Sequence, residues 1–319
     1  MRVHLTFDIE IWCNCWDHLD REFPACYSRY VEGQSKHGDY ALPKTLEILA
    51  RHGIHGVFFV EPLFSARFGA EYLERIVRMI DDAGQEVQLH LHPEWTDEIT
   101  PPPIPDVARK RQHLIHYTLA EQTALVGYAK GLLEAALGSP VDAFRSGSYA
   151  ANADTFAALA ANGITVDSSI NRCYEVSAPQ FVREYGGTTP FSVHELTAYP
   201  VSVFRDGFGK PRPAQVGASS FAEMRGALES ARRSGWSDFV IVSHNFEMLK
   251  PGRSAPDWIV VRRFESLCRY LAAHRDELPT TGFKRFLPEL AIDPPVASPS
   301  TSVGATAWRY AEQIARRVM

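Results

Sequence analysis

The sequence predicts an α/β fold, a distorted (β/α) barrel with about seven parallel strands. Three observations lead there. Short β-branched and aromatic runs alternate with stretches of helical periodicity along most of the chain, the pattern of βα units and a parallel sheet. Most of the strand-like runs end in a polar or charged residue, as barrel strands do where chemistry gathers at their C-terminal ends. The length of 319 residues, 45% hydrophobic and 22% charged, suits one α/β unit, because such barrels commonly reach about 250 residues.

The elements follow in order. Val3 to Phe7 reads as a strand, and Leu42 to Leu49 carries helical spacing stopped near Gly53. His55 to Val60 is a buried-type strand with Pro62 just beyond it. Tyr72, Leu73, Ile76, Val77 and Ile80 form a helical stripe ending at Gly84, and Glu86 to His92 is a strand stopped by Pro93. A long helical region over roughly 108–137 precedes a strand around Val141 to Arg145. A helix near 154–162 ends at Gly163 and leads into the strand Ile164 to Asp167. Extended segments near 191–204, a helix near 220–234, the strand Phe239 to Val242 and a helix over about 257–274 complete the body.

Two segments interrupt this rhythm. Residues 11–38 form an early insertion rich in aromatic residues and cysteine, and residues 291–305, with Pro294, Pro295 and Pro299, read as a linker. After it, Trp308, Ala311, Ile314 and Ala315 give a short amphipathic helix that docks on the body or on another subunit, so a homo-oligomer through this helix is open. The expected organisation is one barrel domain over 1–290, then linker and helix over 291–319. No internal repeat is found.

Composition excludes several classes. A formal charge of −5 lacks the basic stripe a nucleic-acid partner needs. No apolar run is long enough to span a bilayer, and no secretory segment precedes the first strand, so a cytoplasmic protein is expected. Five scattered cysteines suit free thiols better than a disulfide framework. Cys13, Cys15 and Cys26 with His18 lack standard finger spacing, and loop packing is the simpler account of them.

The strand ends carry the chemistry. Asp8 and Glu10 lie two apart on one strand and point to one face, where two carboxylates repel unless a cation or proton lies between them. His90 and His92 are a second such pair. One carboxylate with two imidazoles is a sound ligand set for a divalent metal with positions left for water. Ser243-His244-Asn245 offers a third histidine. Trp12, Trp16, Tyr27, Tyr30 and Trp95 could form a sugar-stacking platform, although packing explains any one of them. His113 and His116 read as surface residues on a helix.

At this point the chain resembles a family, the polysaccharide deacetylases of the NodB-homology group, or family-four carbohydrate esterases. Thr6-Phe7-Asp8-Ile9-Glu10 resembles the family's opening Thr-Phe-Asp-Asp motif, and Gly56-Val57-Phe58-Phe59-Val60 its Ala-Thr-Phe-Phe-Val strand. Gly84 to His90 is similar to the run that delivers a metal histidine. Phe144 to Tyr149 resembles the Arg-x-Pro-Tyr-Gly motif, Asp167-Ser168-Ser169 the next Asp-x-Ser element, and Val242-Ser243-His244 the strand ending in the catalytic histidine. The match runs in order over roughly residues 2–286. It departs in spacing the acidic pair by Ile9, in placing Glu94 where the second histidine usually stands, and in lacking the proline of the third motif.

The resemblance implies a metal-dependent hydrolase of carbon–nitrogen bonds that removes an N-acyl group, acetyl above all, from a sugar in surface polysaccharide metabolism. It implies Asp8 as base, with Glu10, His90 and His92 as ligands of a divalent ion, zinc first among candidates. His244 would be the acid, Asp167 would orient His244, and Arg145 would orient Asp8. Backbone N–H groups near Ser146 to Tyr149 would hold the oxyanion. Exchange of roles between Asp8 and Glu10, and replacement of His92 by Glu94 as ligand, stay open. A hydrolase of ureides or cyclic imides, and a binding barrel without turnover, are the alternatives.

Overall fold

A computed structural model describes residues 1–13, 16–174, 187–252, 254–284, 290 and 297–318. The chain folds as two compact units, each discontinuous in sequence. One comprises Met1–Gly56, Ser202–Thr281 and Asp293–Met319; the other comprises Val57–Val201 and Gly282–Ile292.

In the first unit, the strand Arg2–Ile9 pairs in parallel with Asp238–His244, from Arg2 opposite Asp238 to Asp8 opposite His244. Val3, Leu5, Phe7, Phe239 and Ile241 are fully or almost fully buried, which is why both strands read as nearly continuous apolar runs. An ion cluster closes the beginning of the pair, where Arg2 and His4 both bind Asp238 at 2.8–2.9 Å. The other end carries Asp8 and His244. The helix Leu42–His52 stops at Gly53, whose φ of 60° is the left-handed cap conformation glycine adopts without strain. Ser220 and Glu223 form a capping box that starts the helix Phe221–Arg233, and Trp258–Ala273 follows. Within the 11–38 segment, the helix Leu19–Tyr27 and a wide turn over Ser28–Glu32 bury Phe23, Tyr27, Tyr30 and Val31. Tyr27 and Tyr30 are therefore core residues.

The C-terminal helix, Val303–Val318, docks by a face other than the expected one. Trp308 and Ile314 are 59% and 65% exposed, whereas Arg309 is 2% exposed. Arg309 reaches Glu223 at 2.9 Å and Asp206 at 3.1 Å, and Thr306 donates to Glu223 at 2.9 Å. Arg316 binds Asp257, and Glu312 accepts from Arg263. Glu223 and Asp206 are themselves buried. Buried carboxylates demand a cation, and this requirement outweighs the apolar stripe that selected Trp308 and Ile314. Residues 291–296 of the expected linker, with Pro294 and Pro295, lie outside the described residues.

The second unit contains the strands Val57–Val60, Glu86–Leu91, Ala143–Ser146 and Val166–Asp167, neighbours in that order, each pair parallel. Leu196–Ala198 continues the parallel set, and Phe191–Val193 pairs antiparallel with it as a hairpin. The helix Ala70–Asp82 buries Leu73, Ile76, Val77 and Ile80 as the stripe requires. The expected helix over 108–137 begins only at Leu119, because Thr118 and Glu121 form a capping box there and the proline-rich stretch before it is irregular. His116 therefore sits on a single 3₁₀ turn, with half-buried His113 just before it. Among the described residues, seven strands pair in parallel, and the α/β class expected from the sequence is the one observed. No helix among them is long and apolar enough to cross a membrane.

Candidate active site

In the first unit, strand alternation puts Asp8 and Glu10 on one face. Asp8, Glu10 and His244 each offer one ligand atom, and these atoms all lie within 4.8 Å of one another. This is a carboxylate and imidazole cluster able to hold a metal ion. Asp8 and Glu10 are buried, and His244 Nε2 stands 4.0 Å from Asp8 Oδ2. Asn245 fixes the strand ends: its N–H donates to the Asp8 carbonyl, its Oδ1 accepts from the Glu10 N–H, and its Nδ2 donates to the carbonyls of Glu10 and Tyr30. The Trp12 indole N–H donates to Glu10 Oε2 at 2.7 Å, so Trp12 positions a carboxylate.

His244 is set up to carry a proton. Burial alone would lower its pKa, but the hydrogen bond to Glu247 and the charges of Glu10, Glu247 and Asp8 outweigh burial and push it up to about 9. The partner of its Nδ1 is Glu247, at 3.0 Å; the resemblance had supplied Asp167 for that role.

In the second unit, His90 lies near the end of the strand Glu86–Leu91 and His92 just past it, both buried, with ring centroids 4.9 Å apart. His90 Nδ1 lies 2.7 Å from the Arg145 carbonyl. A carbonyl only accepts, so Nδ1 carries the proton and Nε2 keeps the lone pair a metal needs. His92 Nδ1 faces Glu94 Oε1 at 3.1 Å, which selects the same tautomer. The other oxygen of Glu94, Oε2, is buried with no hydrogen-bond partner among the described residues. Gly147 bounds the His92 ring: a Cβ there would come within 2.7 Å of Cε1 and 2.8 Å of both ring nitrogens. Ser148 and Tyr149 follow with φ of 54° and 56°, a backbone side chains seldom adopt and one that concentrates at functional turns. The Ser146 N–H is committed to Ser169 Oγ at 2.9 Å, which narrows the expected oxyanion donors to Gly147–Tyr149.

Arg145 is fully buried, donates to the carbonyl and hydroxyl of Ser168, and lies over the Phe59 ring. Asp167 accepts from the N–H and hydroxyl of Ser169. Burial pushes its pKa up to about 6, against the pull of those bonds and of Arg145. Trp95 is buried against Phe64 and Phe68 and is a packing residue. Cys13 and Cys26 contact each other, and burial, then Cys26 and Glu22, push the Cys13 thiol up to about 12; Cys15 lies outside the described residues.

Two acidic residues escaped the sequence reading. Glu61 follows its strand directly, so the strand-end rule that selected Asp8 and His90 would have found it. It is buried, and burial pushes its pKa up to about 8. Glu247 sits in a loop three residues after His244, where no periodicity marks it.

No protein-family model matches the sequence, and comparison with curated proteins finds no match. Solved structures do match. A protein from Mycobacterium smegmatis assigned as a polysaccharide deacetylase is 17% identical, with a TM-score of 0.51 over 91% of this chain and 94% of that one. A family 4 carbohydrate esterase from Streptomyces lividans, solved with acetate, is 15% identical, with a TM-score of 0.42 over 88% and 92% of the two chains. The 4-alpha-glucanotransferase from Thermococcus litoralis is 10% identical, with a TM-score of 0.54 over 95% of this chain and 42% of that one. Proteins with different assigned activities thus share the architecture, and the activity has to be argued from the site. The chain has the fold of the Mycobacterium smegmatis protein assigned as a polysaccharide deacetylase.

Proposed function

We propose that the chain is a metal-dependent hydrolase that removes an N-acyl group, acetyl above all, from a sugar or sugar conjugate in the cytoplasmic part of surface polysaccharide metabolism. The observation that carries this reading is the placement of a buried carboxylate beside an imidazole held in its protonated form: Asp8 lies 4.0 Å from His244, whose pKa is pushed up to about 9. A pure binding barrel needs neither.

Glu10, His90 and His92 would hold a divalent ion, zinc being the first candidate. The donor set fits, because the tautomers fixed by Arg145 and Glu94 leave both Nε2 atoms as ligands. Glu94 on this reading serves His92 rather than replacing it. When bound, such an ion supplies an acidified water and polarises the amide carbonyl. Asp8 takes the proton of the attacking water as its oxygen bonds the carbonyl carbon. Backbone N–H groups of the Gly147–Tyr149 turn hold the oxyanion. His244 gives its Nε2 proton to the nitrogen as the C–N bond breaks, since an unprotonated amine is a very poor leaving group. Arg145 keeps the role of orienting Asp8 that the resemblance implies for it, whereas the His244 ring that Asp167 would orient has its Nδ1 on Glu247.

Amine release from a panel of N-acetylated sugar nucleotides tests this. Wild type with zinc releases amine from at least one, and Asp8→Asn keeps the metal while losing about 100-fold or more in rate. An Asp8→Asn variant as active as wild type would refute the assignment.

A further inference from the structure

The carboxylate of Glu247 is 9% exposed and surrounded by donors. Its Oε1 accepts from His244 Nδ1 at 3.0 Å and Gln215 Nε2 at 2.5 Å, and its Oε2 accepts from the Gly217 N–H at 2.6 Å and Ser243 Oγ at 3.1 Å. The Gly217 N–H can only donate, so the amide of a glutamine would keep its oxygen there and turn its NH2 toward His244 Nδ1, which would then have to accept rather than donate.

The surroundings are built to hold this arrangement. Ala214, Gln215 and Val216 run along the strand that carries His244: the Val216 N–H donates to the Val242 carbonyl, and the Val242 N–H donates to the Ala214 carbonyl. The Gly217 carbonyl is held in turn by Arg263 and Arg316. A side chain at Gly217 would displace this carboxylate, because a Cβ there would lie 2.7 Å from Glu247 Oε2. Phe246 stacks on the His244 ring at 5.3 Å. A loop, a strand and a stacked ring therefore fix one histidine orientation, with Nδ1 on Glu247 and Nε2 toward Asp8.

We propose that Glu247 is the positioning residue of the general acid, holding the His244 ring so that Nε2 carries the proton delivered to the leaving nitrogen. The inference rests on the reading of His244 as proton donor. As the C–N bond breaks, its electron pair stays on nitrogen and takes the Nε2 proton. The ring is left neutral with its remaining proton on Nδ1, still donated to Glu247.

The test uses the full chain, zinc-loaded, as wild type and Glu247→Gln, with 4-nitrophenyl acetate and 4-nitroacetanilide as acyl probes. The phenolate leaves without a proton and the anilide does not, so loss of acid positioning lowers the amide-to-ester rate ratio by about 10- to 100-fold. Nitrogen-15 histidine spectra, assigned with His244→Gln, give a second readout: a protected Nδ1–H of His244 in wild type, lost in Glu247→Gln. Equal loss on both probes, or an unchanged Nδ1–H, overturns the proposal. A wild type inactive on both probes counts against the hydrolase reading, and the spectra still decide the role of Glu247.

Discussion

Glu61 allows the electrostatics of the second unit to be measured apart from any activity. Its side chain is buried, its Oε1 accepts from the Leu63 N–H at 2.8 Å, and its titratable neighbours are His92 and Glu94. Burial is the largest influence, with Glu94 adding to it and the Leu63 bond and His92 opposing, and the pKa rises from 4.5 to about 8. A carboxyl whose folded pKa is raised contributes fully below its unfolded value, and that contribution is lost as pH rises through the folded one. Glu61 thus destabilises the fold progressively from about pH 4.5 to about pH 8. The interval is worth at most about 5 kcal/mol at about 1.4 kcal/mol per pKa unit. Glu61→Gln keeps the shape and the acceptor but removes the titration. Urea unfolding of metal-free protein should show the variant within about 1 kcal/mol of wild type at about pH 4 and several kcal/mol more stable at about pH 9. A stability difference that does not change between those two pH values would refute the reasoning.

Other consequences are equally concrete. Gly147→Ala pushes a Cβ into the His92 ring and should cost about 1–3 kcal/mol while weakening zinc binding measured by calorimetry; unchanged affinity would show that His92 is not a ligand. Arg309→Ala leaves Glu223 and Asp206 buried without their cation and should lower unfolding stability by about 3–5 kcal/mol; a change below about 0.5 kcal/mol would mean the helix does not depend on that cluster. Asp238 pairs with His4 and Arg2, whose hydrogen bonds outweigh burial and hold its carboxyl well below the usual range. The stability from that depressed pKa is present above about pH 4 and lost as pH falls below it, so the gap between wild type and Asp238→Asn should narrow on acidification; a gap that widened would reverse the sign.

Much of the fold was legible because it rests on local signals. Buried parallel strands leave unbroken apolar runs, and Gly53 marks a helix end because the left-handed cap needs it. The side-chain period of a strand placed Asp8 with Glu10. What escaped depended on contacts between distant segments. Glu223 and Asp206 come from elsewhere in the chain, and only their burial explains why Arg309 rather than Trp308 faces the body. Glu247 gains meaning from Gln215 and Gly217, some thirty residues before it, which no local pattern connects to His244. The late start of the helix at Leu119 was written locally, in Thr118 and Glu121, but the apolar spacing before it obscured the cap.

The measurement that tests the central claim most directly is the metal content and zinc affinity of the folded chain beside Glu10→Ala, His90→Ala and His92→Ala. The account predicts one zinc per wild-type chain, and at least a 100-fold loss of affinity in each variant with the fold retained by circular dichroism. Wild-type protein that binds no divalent metal, or variants that bind it as tightly as wild type, would contradict it.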